Sequence, residues 1–315
     1  MSYAEEFEAI VDTFEKSGGK RDLLKSTQVA SMVVAGNKII SKNVVEGIIV
    51  QAQETKDGVK VHLKIEDNVK MAYPIHLCFG VVHKTGRQHI ESTYEIGNNV
   101  NVEFLAHCSF PKAQDVQHIM DAEITIGENS TMRYNEVHFH GPEGGIEVLP
   151  KAHINVGKGS KYYSEFRLVD GRVGIFDMDY TVEVGQDGVT ELNAKLYGKG
   201  NDKIKIKETI HLRGENSKGI AKSRIVNTEE SSSEVLGEVI GHAAHARGHI
   251  DCTEIVEGEH AAASAVPLVK VVHPLAKITH EAAIGSVDKL QMETLMARGL
   301  NEEEAIDIIV KGLLS

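Results

Sequence analysis

A four-residue signature recurs through the middle of this chain at an almost constant interval. A β-branched residue, a glycine and a polar pair appear as Ile96-Gly97-Asn98-Asn99, Ile126-Gly127-Glu128-Asn129, Val156-Gly157-Lys158-Gly159 and Val184-Gly185-Gln186-Asp187, with a looser copy at Arg213-Gly214-Glu215-Asn216. The glycines at 97, 127, 157, 185 and 214 are therefore 30, 30, 28 and 29 residues apart. A fixed period in this range marks stacked repeats, each burying its apolar face only against its neighbours. Between the signatures lie short strand-like runs and no amphipathic helical pattern. Upstream, Val59-Lys60-Val61-His62-Leu63-Lys64-Ile65 has the alternation of a half-buried strand. Strand-only repeats predict a parallel β-solenoid. The competing architecture, a large antiparallel sandwich with regular turns, rarely keeps so even a period. Each repeated glycine is expected at a turn with positive φ, a region that a neighbouring Asn or Asp also tolerates.

The two ends read differently. From Tyr3 to Lys16, Phe7, Ile10, Val11 and Phe14 share one helical face, and Gly18-Gly19 closes the pattern. Leu23, Leu24 and Val29 permit a second short helix before the texture changes at Asn37. Near the other end, Asp288 is an expected N-cap with Gln291 three residues on, and Gly299 is the expected stop. Asn301 caps a further helix with Glu304 at its third position. Ala305, Ile308, Ile309 and Gly312 line one face of that helix and Ile306, Val310 and Leu313 another, so it either covers the last solenoid rung or docks a partner. Leu290, Leu295, Met296, Ile308 and Ile309 are the candidate docking residues. The expected division is a helical segment at 1–36, a solenoid core at 37–285 and a helical, partner-docking segment at 286–315.

Composition narrows the function classes. A formal net charge of −12 argues against electrostatic nucleic-acid binding. No charged start followed by an apolar run suggests a signal peptide, and no apolar run is long enough to span a bilayer. The three cysteines, Cys78, Cys108 and Cys252, are odd in number and widely spaced. That fits a reducing compartment, so a cytoplasmic protein without disulfides is expected. There is no Gly-rich phosphate loop, no nucleophile elbow, no H-E-x-x-H zinc motif and no ferredoxin-like cysteine series.

Three residues near the end of the repeats carry candidate metal chemistry. Cys252, and 28 positions later His280 followed by Glu281, are soft, borderline and hard donors that together suit iron or zinc. Taken singly, each has a bland reading: a buried small thiol, a satisfied histidine, a solvated carboxylate. Their spacing means that only the fold could unite them. His242, His245 and His249 have zinc-like helical spacing, but Gly237, Gly241 and Gly248 argue against a helix there. Cys78, beside Phe79, reads as core, and Cys108 by itself reads as a buried thiol at a strand end.

Several separated motifs give a more specific indication. Arg247, Cys252, Pro267, Thr279-His280-Glu281-Ala282, Ile284-Gly285, Ala297-Arg298-Gly299-Leu300 and Glu304-Ala305 occur in the order found in the SufB/SufD family. These are scaffold proteins of the SUF iron–sulfur cluster assembly system. The chain resembles that family back to about Tyr73. The resemblance implies a mainly β fold, a right-handed parallel β-helix with small helical segments at the termini. It also implies a scaffold, not an enzyme, that holds a transient iron–sulfur cluster and works with a SufC-like ATPase. Cys252 matches the assembly cysteine of SufB-type members and His280 the essential histidine of SufD-type members, so one sequence resembles both. A homodimer is the expected consequence. Thr279 departs from the Glu often found there, leaving Glu281 as the nearer carboxylate.

Cys108-Ser109-Phe110-Pro111 is similar to the family's Cys-x-x-Pro motif, whose thiol is proposed to receive sulfur as a persulfide. Attack on a donor needs a thiolate, so a nearby cation is expected, with His107 and Lys151 as candidates. Lys151 is similar to a family position on an internal sulfur path. His138-Phe139-His140 departs from the family's Gln-Asn-Trp. A cysteine desulfurase is the sulfur donor implied, and a reduced flavin the one further cofactor admitted. The alternative class is a solenoid polysaccharide lyase or hydrolase, which would need a long groove of carboxylates and basic residues.

Overall fold

The computed structural model describes residues 3–16 and 19–315, so the expected helix stop at Gly18 lies outside the described residues. Two short helices, α1 (Tyr3–Lys16) and α2 (Arg21–Lys25), precede the strands. These run β1 (Ser31–Ala35), β2 (Lys38–Asn43), β3 (Ile48–Glu54), β4 (Gly58–Ile65), β5 (Ile75–Gly80), β6 (Thr85–Ile96), β7 (Asn101–Phe110), β8 (Asp115–Ile126), β9 (Thr131–His140) and β10 (Ile146–Val156). They continue as β11 (Lys161–Asp170), β12 (Ile175–Val184), β13 (Val189–Gly198), β14 (Lys203–Leu212), β15 (Lys218–Thr228), β16 (Ser232–Gly241), β17 (Arg247–Glu257), β18 (Ala262–Val271) and β19 (Lys277–Gly285). Helices α3 (Lys289–Met296) and α4 (Glu302–Leu313) follow.

From β4 onward, successive strands alternate between two sheets. One sheet has the order β19-β17-β15-β13-β11-β9-β7-β5-β1-β2, the other β18-β16-β14-β12-β10-β8-β6-β4-β3. Among the described residues, only the pairs β1/β2 and β3/β4 are antiparallel. The result is the expected solenoid, of about 8 turns. Its first paired strand comes earlier than the expected boundary at 37, because Ser31–Ala35 already runs parallel to Ile75–Gly80.

Register explains the repeat. The residues before the first four signature glycines, Ile96, Ile126, Val156 and Val184, stack on one another, and the ladder continues to Ile65 on one side and Leu212 on the other. All six are buried. Each such side chain contributes roughly 1.5–3 kcal/mol by leaving water.

The glycines are required for a different reason than φ. Positive φ falls two residues later, at Asn99, Asn129, Gly159, Asp187 and Asn216. The signature glycine instead sits where one turn is pressed onto the turn below. A Cβ on Gly157 would stand 2.6 Å from the Ile126 carbonyl oxygen, and one on Gly214 would stand 1.9 Å from the Gln186 nitrogen. The polar pair then ladders outward: Asn98 accepts from the Glu128 amide at 2.7 Å, and Asn99 donates to Asn68 at 3.0 Å.

Both terminal helical segments lie on the outer face of the ten-stranded sheet. Ile10, Val11 and Phe14 of α1 pack with Val33, Cys78 and Val82, so Cys78 is core, as expected. Thr13 and Ser109 share a hydroxyl hydrogen bond of 2.5 Å that pins α1 to β7. Asp288 caps α3, and Asn301 with Glu304 forms a capping box on α4. Val310 and Leu314 pack with Val226, Val169, Tyr197 and Ile255, which belong to four successive strands of that sheet. Thus α4 runs across the rungs and does not cap the last one. The end of the solenoid stays open, with Val271, Val272 and Leu275 51%, 54% and 57% exposed.

Gly157→Ala should destabilise the chain by about 1–3 kcal/mol in denaturant unfolding, because backbone is the clashing neighbour. Gly312→Ala, in open space on α4, should stabilise by about 0.5 kcal/mol. Equal effects of the two would remove close turn stacking as the reason for the repeated glycine.

Candidate functional site

Strand β17 turns Ile250, Cys252 and Glu254 inward, each buried. The Ser223 hydroxyl donates to the Cys252 sulfur at 3.0 Å, and the thiol lies 3.6 Å from Glu254 Oε1. Ser233 donates to the other oxygen of Glu254 and itself accepts from Asn227 Nδ2 at 2.6 Å. Burial pushes the thiol up to about 12 and also raises Glu254. At rest Cys252 is therefore a neutral thiol in contact with a buried carboxyl group.

The next strand, β19, is the last of its sheet. Its register places His280 on Ile250, Glu281 on Asp251 and Ala282 on Cys252. His280 thus has the same inward face as Cys252, one rung and two residues away, or about 8 Å between α-carbons. It is exposed because nothing stacks beyond it. Glu281 belongs to the opposite, outer face. Within one chain the fold brings Cys252 and His280 to one side and Glu281 to the other. The outer neighbour, Asp251, is held ionised by Arg224, at 2.6 and 3.0 Å.

Cys108 is also inward and 1% exposed, on β7. Its sulfur is 3.7 Å from Glu136 Oε1, which is 2.7 Å from His138 Nε2. His138 Nδ1 is 3.2 Å from His140 Nε2, and His140 Nδ1 is 2.8 Å from the Arg172 carbonyl. Burial raises the thiol well above its ordinary range and lifts Glu136 to about 7. The expected cation beside this thiol is not His107. That ring lies on the other face of β7, edge-on to Phe14 at 4.6 Å, and burial lowers it to about 4. Lys151 is exposed and lines an outer groove of about 410 Å³ with Lys60, His89, Asp121 and Asp179. It also lines a narrow internal cavity of about 30 Å³ that reaches Glu136.

Five inter-strand steps, about 24 Å, separate Cys108 from Cys252. Phe166, Leu168, Ala194 and Leu196 fill two of the four intervening rungs of that sheet, β11 and β13. On the facing sheet Glu208 is buried near Cys252, its carboxyl raised to about 8 by burial. The histidine trio is dispersed: His242 contacts His211 and Arg213, His245 occupies a turn with φ 60°, and His249 bonds Thr279 at 2.8 Å. Leu290, Leu295, Ile308 and Ile309 line an apolar groove of about 890 Å³ that also touches Thr253 and Glu254, whereas Met296 lies outside it.

Residues 82–313 match the family described as SUF system FeS cluster assembly, SufBD core domain. The chain belongs to the SufBD family. It is 37% identical over 314 residues to an iron-sulfur cluster assembly SufBD family protein of Methanocaldococcus jannaschii, covering 100% of this chain and 99% of that one. A namesake from Pyrococcus horikoshii is 35% identical, with 100% and 95% covered. A more distant relative from Antithamnion is 25% identical, with 74% and 82% covered. Membership of the SufBD family places the chain's role in iron–sulfur cluster assembly and not among polysaccharide-degrading solenoids, despite the charged groove at Lys151. Among the described residues no helix is long and apolar enough to cross a membrane.

For this SufBD family chain, sequence reading missed Glu136, Glu208 and Glu254. Glu208 interrupts an otherwise apolar inward series, Ile204-Ile206-Glu208-Ile210-Leu212, and Glu136 and Glu254 likewise fall at inward positions of alternating strands. A charged residue at an inward position of an alternating strand was the available signal.

Glu208 gives a pH test. Its folded value of about 8 exceeds the ordinary 4.5, so the folded chain keeps a proton that the unfolded chain has lost. Its contribution to stability is whole below about 4.5 and drains away as pH rises to about 8. Buried histidines such as His138, lowered from 6.5 to about 3, act in the opposite sense only below about 6.5. Between pH 6.5 and 8 the thermal midpoint should fall more steeply for the parent than for Glu208→Gln, and equal slopes would show that Glu208 is not held protonated.

Proposed function

We propose that this chain is a scaffold on which iron–sulfur clusters are built de novo, not an enzyme in its own right. One observation carries the reading. In a SufBD family member, Cys252 is an inward thiol one strand from the open end of the solenoid, facing the same side as His280. Sulfur arrives at Cys108. Its thiolate attacks the outer sulfur of a donor persulfide, a new S–S bond forms at Cys108, the donor's S–S bond breaks, and the donor thiolate leaves. A cysteine desulfurase suits that role. Lys151, at the mouth of the cavity that reaches Glu136, supplies the positive charge that draws an anionic sulfur carrier.

At the far end iron meets sulfur on Cys252, His280 and Glu281. Iron binding at Cys252 releases the thiol proton, which passes by way of the adjacent Glu254 carboxyl group to solvent. Glu281, on the outer face of its strand, is supplied by a second copy of the chain. Conversion of the transferred sulfur to sulfide takes an electron pair, for which a reduced flavin is the donor in this scheme. So few protein donors suit a cluster that must be passed on.

The open end favours a homodimer. Val266, Leu268, Val271, Val272 and Leu275 expose apolar surface beside the unpaired edges of β18 and β19, and uncovered strand edges invite pairing. A SufC-like ATPase docks on the apolar groove of Leu290, Leu295, Ile308 and Ile309, with Met296 at its margin. That groove also touches Thr253 and Glu254, so movement of the partner reaches the hydrogen bonds around Cys252. ATP hydrolysis belongs to the partner, and the work is done in the cytoplasm.

Anaerobic reconstitution of the full chain with iron and sulfide should give visible absorption and bound iron that Cys252→Ala abolishes. Unchanged iron, sulfide and colour in that variant would refute the assignment. In solution the chain should have twice its 34.4 kDa mass, and Val271→Glu with Leu275→Glu should yield monomers. A monomeric parent, also in the presence of the ATPase, would reject the dimer.

A further inference from the structure

In the solenoid interior, side chains from three strands converge, and His118, one of the three, has no hydrogen-bond partner among the described residues. Cys108 of β7, His118 of β8 and His138 of β9 each place a ligand atom within 4.8 Å of the other two. The three are 1%, 0% and 1% exposed. Among the described residues, neither ring nitrogen of His118 has a hydrogen-bond partner. An orphaned buried polar group costs roughly 1–3 kcal/mol, and native interiors seldom leave one. The ring is held there by Phe110 and His138, with centroids 4.8 and 5.8 Å away. Glu136 Oε1 stands beside the same space, 3.7 Å from the sulfur and 2.7 Å from His138 Nε2.

We propose that Cys108, His118 and His138, with Glu136 as fourth donor, form a buried site for a divalent transition cation of borderline softness, zinc or ferrous iron. One thiolate, two imidazoles and a carboxylate are the donors such ions take in tetrahedral sites. Tetrahedral bonding at about 2.0–2.3 Å sets donors roughly 3.3–3.8 Å apart, so side-chain adjustments close the remaining gap. The metal–sulfur bond replaces the S–H bond, and the thiol proton, with any proton on Glu136, passes to solvent. No redox change is involved. The two anions cancel the charge of the ion, as an apolar interior requires. His140 fixes the His138 ring from behind, itself anchored on the Arg172 carbonyl, as supporting partners of metal ligands do.

This site is five strands from Cys252 and does not depend on cluster assembly there; it draws on the Cys108 thiol assigned above to sulfur, so ion and persulfide are alternative occupants of that thiol. The test therefore uses the full-length Cys252→Ser chain, stripped of metal and titrated anaerobically with Co²⁺. One Co²⁺ per chain should bind with a sulfur-to-cobalt charge-transfer band and raise the thermal midpoint, since an ion bound only by the folded state stabilises it. Cys108→Ser should remove the band. His118→Gln and His138→Gln should each weaken Co²⁺ binding by at least ~10-fold, with circular dichroism unchanged. A band that persists in Cys108→Ser, or affinity indifferent to both histidine changes in folded variants, overturns the site. If a variant does not fold, the Cys252→Ser chain decides alone: a band with a higher thermal midpoint supports the site, and the absence of both rejects it.

Discussion

Backbone stacking of one turn upon the next is the constraint from which the rest of this structure follows. Parallel pairing fixes every residue above its equivalent one rung away, so a side chain's inward or outward sense is inherited along the whole sheet. The apolar ladder from Ile65 to Leu212 is one expression of this. The signature glycines are another, since a Cβ at those points would meet the backbone of the turn below. A solenoid built this way has little freedom to displace one rung without disturbing its neighbours.

That rigidity gives the interior polar groups their chemistry. Cys108 and Cys252 each have a buried carboxyl group within about 4 Å, Glu136 and Glu254. In a low-dielectric interior without a facing cation, thiols and carboxyls are all pushed toward their neutral forms. Each thiol is thus stored protonated next to a carboxyl group whose own charge is disfavoured as well. A metal ion or an opening of the rung would shift that balance, because either one lowers the cost of charge.

The two ends of the solenoid are finished differently. At the first end, β2 and β3 fold back antiparallel and α1 packs alongside. At the last, α4 lies along the outer face and leaves the terminal rung uncovered. The same open rung presents His280 and an apolar rim, so the chemistry and the surface that needs covering coincide.

The sequence by itself determined the solenoid, because a period near 30 residues with strand texture admits few other folds. It also determined the caps at Asp288 and Asn301, which are local hydrogen bonds, and it marked Cys108, Cys252 and His280 through separated family motifs. Only the tertiary structure decided what those residues face. Cys252 and His280 share a side while Glu281 does not, since adjacent residues on a strand alternate and rung register carries that alternation across 28 positions. His107 proved to lie beneath α1 and away from Cys108 for the same reason. Likewise α4 went to the sheet face and not to the end rung because Val226 and Ile255 offer it an apolar strip. No local pattern records which outward residues of distant rungs will stand in line, and stacking alone sets that line.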